Sequence, residues 1–523
     1  MDSKDNIGIY LLKKGRKGFS SAIFSRLGLF IVLILAQILC LMSVFKWFGD
    51  FLPHIYGIMV LATIFIALYL LYTEIDPTAK ITWLITFTCL PIFGWFLFIY
   101  TQTNLGHRTL KNRVNNITEL TKEHLSQDPD IFHQLQEDNY QISALTSYVN
   151  RTGCYPVYKN TKVTYFPLGE DKFKELLIQL EKAEKFIFLE YFIIHEGLMW
   201  GQILEILARK VKEGVDVRVM YDGTCEFSSL PHNYPKRLQE LGIKCKAFAP
   251  LTPFVSTHYN YRDHRKILVI DGHTAFNGGI NLADEYINEK ERFGHWKDTA
   301  VMVQGEAAKS FTLMFLQLWN VTEETVEYKK YLDNPVPKIS EEGYVMPYSD
   351  CPLDEYKVGE QVYIDLLNRA KSYVHIMTPY LILDGELENA LKYASERGVD
   401  VKIILPGIPD KKVPYALAYT HYKALLKAGI KIYEYTPGFV HAKSFVVDQN
   451  EAVVGTINLD YRSLYHHFEC ATYMYKSSAI SDIEVDFQDT LSKCRQVTLE
   501  NVSDEKLLRK LRGFLLKPIA PLL

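Results

Sequence analysis

A chain of 523 residues is too long for one hydrophobic core, so two or more domains are expected. Its formal net charge of -3, with 48% hydrophobic and 23% charged residues, supplies no bulk attraction for nucleic acid and argues against a nuclease. The eight cysteines, at 40, 89, 154, 225, 245, 351, 470 and 494, make no C-x-x-C pair. They suit neither a zinc site nor a disulfide framework, which points to a reducing compartment.

Three apolar runs open the chain: Leu27 to Phe45, Ile55 to Tyr72 and Ile81 to Tyr100, of 19, 18 and 20 residues. Each approaches the roughly 20 residues that cross a hydrocarbon core as a helix. Lys46-Trp47-Phe48 after the first run, in place of small residues, argues against a cleaved signal peptide. Residues 1–106 therefore read as a membrane anchor of two to three helices. Lys4, Lys13, Lys14, Arg16, Lys17 and Arg26 precede the first run, and Arg108, Lys111 and Arg113 follow the third. Both clusters ask for the cytoplasmic side, which three full crossings cannot satisfy. Pro91 and Gly94 make the third run the one expected to dip and return, leaving the rest of the chain on the cytoplasmic face.

Residues 107–149 read as a polar connector with helical character, and from residue 150 onwards the chain repeats itself. Lys185 to Tyr191 and Gly214 to Met220 read as strands around a helical stretch, as do Ser372 to Met377 and Gly398 to Ile404. Leu238-Gln-Glu-Leu-Gly-Ile-Lys244 then matches Leu425-Leu-Lys-Ala-Gly-Ile-Lys431. Alternating strands and amphipathic helices predict α/β halves, each a mixed or parallel sheet covered on both faces, at 150–335 and 336–523. A repeat of about 180 residues is a duplicated domain and not a solenoid unit. The segment Glu505 to Leu516 is basic and amphipathic, fit either to pack on the domain or to lie against anionic headgroups.

Both copies carry one polar constellation. The first is His264, Lys266, Asp271, Gly278, Gly279 and Asn281; the second is His441, Lys443, Asp448, Gly455, Thr456 and Asn458. The gaps from His to Lys, Asp and Asn are two, seven and seventeen residues in both. Residues two apart on a strand share a face, so each His and Lys project together. One such pair is an ordinary strand end; two with identical gaps are not chance. Paired histidines divide labour between attack on phosphorus and protonation of the leaving oxygen. Paired lysines and asparagines hold the nonbridging oxygens. No carboxylate cluster suggests a metal, and the lysines bring the charge a metal would otherwise supply. The expected chemistry is metal-free phosphodiester transfer through a phosphohistidine, with no cofactor.

The H-x-K-x4-D-x6-G-[GT]-x-N pattern, present twice, resembles the phospholipase D superfamily. Several segments are closer to the bacterial cardiolipin synthases. Among them are Asn260-Tyr-Arg-Asp-His-Arg-Lys266, Gly294-His-Trp-Lys-Asp-Thr299, Gly438-Phe-Val-His-Ala-Lys443 and Gly455-Thr-Ile-Asn-Leu-Asp460. The resemblance implies two halves packed about a pseudo-twofold, with both motifs at one site. It implies a catalytic set of His264, Lys266, Asp271, His441, Lys443 and Asp448, in which the two aspartates are structural partners instead of proton carriers. His264 would be the nucleophile and His441 the acid and base. Asn281 and Asn458, with Gly279 and Thr456, would lie on the substrate. A carboxylate downstream of each histidine would orient it: Asp298 for the first and Glu469 for the second. Glu190 would line the pocket or satisfy a loop, and His466 and His467 stand beside Glu469 without an assigned role. The expected reaction transfers a phosphatidyl group between two phosphatidylglycerol molecules in an anionic plasma membrane. Hydrolysis, another alcohol acceptor and a non-catalytic scaffold are the alternatives. Oligomeric state is not legible in the sequence.

Overall fold

The computed structural model describes residues 52–73, 75–90, 94–95, 97–98, 105–231, 233–250, 261–323, 327–505 and 507–522. The first apolar run, Leu27 to Phe45, lies outside them. Leu52–Tyr72 is a 21-residue helix with no charged residue, and Ile58, Phe65 and Leu71 on it are 65%, 71% and 72% exposed. Among the described residues, however, no helix is long and apolar enough to cross a membrane. The third run, expected to dip and return, begins within a helix that ends before Pro91. That helix is Pro77–Cys89, capped by the Asp76 carboxylate on the Ala79 N–H at 3.0 Å. It stops at Leu90, whose φ of -137° and ψ of 66° have left the helical region that a following proline disfavours. Helices Leu105–Thr121, Pro129–Asp138 and Tyr140–Gly153 fill the connector.

The first half carries strands β1 (Lys162–Phe166), β2 (Phe186–Tyr191), β3 (Asp216–Asp222), β4 (Lys244–Phe248), β5 (Arg262–Asp263), β6 (Lys266–Ile270), β7 (Thr274–Gly278), β8 (His295–Lys297) and β9 (Ala300–Gln304). The second carries β10 (Tyr344–Asp350), β11 (Tyr373–Met377), β12 (Asp400–Pro406), β13 (Lys431–Tyr435), β14 (Gly438–Val440), β15 (Ser444–Val447), β16 (Glu451–Gly455), β17 (His467–Tyr475) and β18 (Cys494–Val497). The first sheet runs β1-β9-β7-β6-β2-β3-β4 and the second β10-β17-β16-β15-β11-β12-β13-β18, one topology twice with one added edge strand. Both sheets are mixed: β2, β3 and β4 are parallel to one another, as are β11, β12 and β13, and the remaining pairs within each sheet are antiparallel.

Each sheet is covered on both faces, which is why its central strands are continuous apolar runs. Ile187, Leu189, Leu268 and Ile270 pack with Leu176, Ile203 and Leu207 of the helices Gly169–Glu181 and Leu198–Lys212. The alternate residues Phe188, Ile267 and Val269 join Phe311, Met314 and Phe315 of helix Ala308–Trp319. That second cluster continues into Val374, Ile376, Phe445 and Val453 of the other half, so the halves share a core. Cys89, Cys154, Cys225, Cys245, Cys351, Cys470 and Cys494 are all free thiols.

Two exchanges of strand ends stitch the halves together. The start of β17 pairs with β5, His467 opposite Arg262 and Phe468 opposite Asp263. In the mirrored place β14 pairs with β8, Gly438 opposite His295 and Val440 opposite Lys297. The second exchange requires glycine. A Cβ on Gly438 would come within 2.2 Å of the His295 carbonyl, and Gly294 adopts a φ of +67° at the same crossing.

The motif aspartates stand at the far ends of their strands, about 16 Å along β6 from Lys266 in the first half. Asp271 accepts the backbone N–H groups of Glu184, Lys185 and Phe186, each at 2.8 Å. Asp448 does the same for Lys371, Ser372 and Tyr373 at 2.7, 2.8 and 2.9 Å. Grouping them with the catalytic side chains is therefore corrected: each pins the start of a central strand. Replacing Asp271 by alanine removes three acceptor contacts at a residue with φ of +53°. Asp271→Ala is expected to lower the unfolding free energy by about 2–4 kcal/mol. Asp271→Asn keeps an acceptor and tolerates left-handed backbone, so it should cost less; thermal melts followed by circular dichroism check the order.

Candidate active site

The exchanged strand ends bring both motifs to the seam between the halves. The His264 N–H donates to the Phe468 carbonyl at 3.0 Å, and the His441 N–H to the Lys297 carbonyl at 2.7 Å. The next residue in each case is a buried carboxylate aimed at the same imidazole. Glu469 meets His264 Nδ1 at 2.9 and 3.0 Å, and Asp298 meets His441 Nδ1 at 2.6 Å. The expected pairing within each half is thus overturned. Each histidine is oriented by the carboxylate of the other half, because the strand that continues past it belongs to the other half.

A carboxylate on Nδ1 fixes the tautomer, placing the proton there and the lone pair on Nε2. Burial pushes the His264 ring well below its ordinary value, with Glu469 opposing and Lys266 adding to the effect. Burial and the neighbouring Lys443 charge bring His441 down to about 4. Glu469 is held below the usual carboxylate range: burial opposes this, and the His264 and His467 rings overcome it. Both shifts favour the neutral ring.

The histidines and Lys443 do not lie on strands as expected: His264 falls between β5 and β6, and His441 and Lys443 between β14 and β15, while each ammonium folds back onto the carbonyl of the histidine two residues earlier. Lys443 Nζ also lies 2.8 Å from His441 Nδ1. Burial lowers Lys266 to about 8 and Lys443 to about 7, and both are drawn back up by Glu469 and Asp298. Each lysine feels carboxylates of both halves, so the four charges form one site. Aromatic walls close it. Phe192 stands 4.8 Å from His264 edge to face, and Tyr286, Trp296 and Phe439 lie 5.4, 5.5 and 5.8 Å from His441.

The remaining expected residues divide. Asn281 is buried and turned to the protein, accepting the Ile193 N–H at 3.0 Å and donating to the Tyr286 hydroxyl at 2.8 Å. Asn458 is buried with its Oδ1 unpartnered. Gly279 is where it is because the Asp298 carboxylate fills its side-chain space; a Cβ would come within 2.1 Å of Oδ1. Thr456, at the equivalent position, donates its hydroxyl to Glu469 Oε2. Gly279 and Thr456 therefore support the orienting carboxylates. Glu190 lies beneath the site, fully buried against Arg265 Nη2 at 2.5 Å. Thr378 accepts the Leu459 N–H at 3.5 Å. The His467 ring is 5.3 Å from that of His264, while His466 turns to the Pro521 carbonyl. His264, His467 and Glu469 place ligand atoms within 4.8 Å of one another, and among the described residues they are the group able to hold a metal.

Two features are absent from the motif pattern. Arg265 alternates away from the site and forms a buried cluster with Glu190 and Asp263. Lys172, buried on helix Gly169–Glu181 beside the Tyr191 hydroxyl, is brought down to about 7 by burial and feels Asp298 and Lys266. Nothing in its local sequence marks it. A hollow lined by Arg218, Lys244, Lys246, Trp319 and Tyr331 opens elsewhere. Its cations are paired with Asp216 and Glu323, and it includes no motif residue.

Two copies of one mixed sheet, each delivering a histidine and a lysine to a common seam, define a duplicated phospholipase D-like protein. The family described as cardiolipin synthase, PLD-like domain matches residues 176–319 and 363–491, and the chain belongs to that family. It is accordingly an enzyme of the phosphatidyltransferase type. An uncharacterized protein of Streptococcus mutans serotype c is 60% identical over 456 residues, 87% of this chain and 99% of its own. A cardiolipin synthase of Alkalihalophilus pseudofirmus is 32% identical over 473 residues, 89% of this chain and 93% of its own. The solved phosphatidylserine synthase of Haemophilus influenzae Rd KW20 shares the fold with a TM-score of 0.54 at 15% identity, covering 69% of this chain and 93% of that one.

Burial disfavours the charged forms of Lys266, Lys443 and His441. A bound oxyanion raises Lys266, Lys443 and His441 towards their charged forms, so binding takes up protons. Titrating tungstate at pH 7.5 in buffers of different ionisation heat is expected to register uptake on the order of one proton per anion, largely lost in Lys443→Met. Heats independent of buffer contradict this.

Proposed function

We propose that this chain condenses two phosphatidylglycerol molecules into cardiolipin and glycerol through a phosphohistidine. The observation that carries the reading is the crossed orientation of the histidines. Each Nδ1 is engaged by a carboxylate from the opposite half, leaving two Nε2 atoms for chemistry at one lysine-lined seam. His264 Nε2 attacks the phosphorus of the first lipid as the bond to its glycerol oxygen breaks, and His441 gives that oxygen a proton. His441 then takes the proton from a hydroxyl of the second lipid, whose oxygen attacks phosphorus and breaks the bond to His264. Lys266 and Lys443, with Asn458 and the remaining amide hydrogen of Asn281, stabilise the nonbridging oxygens. The relatives named cardiolipin synthase support a lipid hydroxyl as acceptor over water. No metal takes part in this reading, since the lysines supply the positive charge.

With phosphatidylglycerol vesicles, the expected products by thin-layer chromatography are cardiolipin and glycerol in equal amounts, formed after exhaustive EDTA treatment as before it. Phosphatidic acid as the main product would assign hydrolysis instead. His264→Ala and His441→Ala should each lower turnover by about 10³-fold or more. Glu469→Gln and Asp298→Asn should each lower it by about 10²-fold or more at unchanged stability.

The same reading places the enzyme in the plasma membrane with its site on the cytoplasmic face. The apolar runs from Leu27 to Phe45 and from Ile55 to Tyr72 would hold it at the bilayer. Pro77–Cys89 is about 20 Å long, against a hydrocarbon core of about 30 Å. It touches the catalytic part through the Thr82 hydroxyl and the Pro518 carbonyl. By the charge rule, the basic clusters before the first run and after the third would both lie inside. Cysteines introduced at positions 13 and 111 are expected to resist an impermeant thiol mass tag in intact cells and to react after permeabilisation. Tagging of position 111 in intact cells reverses the orientation.

A further inference from the structure

The C-terminal helix Leu507–Leu516 is seated by one face only. Gly513 makes the close contact with helix Lys412–Lys427, where a Cβ would come within 2.9 Å of the Ala416 carbonyl and 2.8 Å of the Thr420 side chain. On the same side Arg509 stacks over Tyr415 and Tyr419 at 4.9 and 5.3 Å and is held by Glu505 at 2.6 Å. The opposite face is apolar and uncovered. Leu507, Leu508, Leu511, Phe514 and Leu515 are 81%, 69%, 50%, 74% and 61% exposed. Their spacing of i, i+1, i+4, i+7 and i+8 puts them on one stripe. At about 100° per residue, Lys510 and Arg512 fall about 40° outside its two edges.

A helix already packed on one side has no folding reason to carry five large apolar side chains on the other. Bordered by cations, such a stripe matches a surface that is apolar within and anionic above. A second copy fits it poorly, because stripe against stripe would set Lys510 and Arg512 of both copies together. The tail ties this surface to the membrane-proximal segment and to the site. The Thr82 hydroxyl donates to the Pro518 carbonyl, Ala520 is buried with Leu417 and Tyr461, and the Pro521 carbonyl meets the His466 ring. His466 immediately precedes β17, which carries Glu469.

We propose that Leu507–Leu516 is an interfacial helix that docks on the surface of an anionic phospholipid bilayer, holding the β17 side of the active site at the headgroups. The choice of a lipid surface rests on the proposed lipid-condensing function, but the test needs no turnover, so either can fail alone. The full-length protein, carrying an environment-sensitive fluorescent amino acid at position 514, is reconstituted into vesicles that contain lipids quenching at known depths. In phosphatidylglycerol-containing vesicles a blue shift and quenching from just below the headgroups are expected. In phosphatidylcholine alone, or with K510E/R512E, the ratio of docked to undocked helix should fall roughly tenfold or more. Water-like, unquenched emission in phosphatidylglycerol overturns the proposal. So does a blue shift in lipid-free detergent that grows with protein concentration, which would make a second copy the occupant.

Discussion

The structure depends on the hydrogen bond from each imidazole to a carboxylate of the other half. Removing either half leaves not one working histidine but none correctly oriented, since His264 needs Glu469 and His441 needs Asp298. The backbone makes the same statement, because β5 ends on β17 and β8 on β14 immediately beside these contacts. A tautomer-setting bond drawn from the opposite half couples chemistry to assembly of the halves. It also explains the conformational demands on Gly294 and Gly438, which serve the crossing of strands and touch no reacting atom.

Burial makes the site selective for anions. Loss of solvent is the largest cause of the depressed values of Lys443, Lys266 and His441, and neighbouring lysines add to it at Lys443 and His441. A phosphodiester restores what the empty site lacks. Its negative charge favours protonated lysines, and it favours a protonated His441 as well. The proton required by the leaving oxygen is thus most stable when substrate is present and least stable when it is absent. Arg265 differs because Glu190 and Asp263 neutralise it where it is buried.

The duplicated sheet and the His and Lys positions were legible in the sequence because they are local. A shared gap of two brings each histidine beside its lysine, and a shared gap of seventeen marks the repeat. The break after Cys89 was legible for the same reason, through Pro91. The orienting pairs were not. His264 and Glu469 lie 205 residues apart, and His441 and Asp298 143, and only the register of β5 on β17 and β14 on β8 decides which carboxylate meets which ring. The sequence held one clue, the unequal distances from each histidine to its downstream carboxylate. Lys172 was hidden by the amphipathic pattern of its helix, in which a lysine is ordinarily solvated.

Duplication alone would make the halves equivalent, yet the proposed reaction needs one imidazole to bond phosphorus and the other to move protons. The departures from symmetry fall at the atoms that set this difference. Glu469 receives the Thr456 hydroxyl and a neighbouring His467 besides His264, which fixes its charge and its direction. Asp298 sits against a bare Gly279, with the Thr299 N–H on the oxygen that does not meet His441. His441 Nδ1 meets Asp298, and Lys443 Nζ stands 2.8 Å from the same nitrogen. A rigidly held neutral ring suits a nucleophile that must point one lone pair at phosphorus. A ring between a carboxylate and a lysine that titrates near neutrality suits a group that gives up a proton and recovers it within one turnover. Thr456 where the first motif has Gly279 is thus the position at which the surroundings of the two orienting carboxylates part.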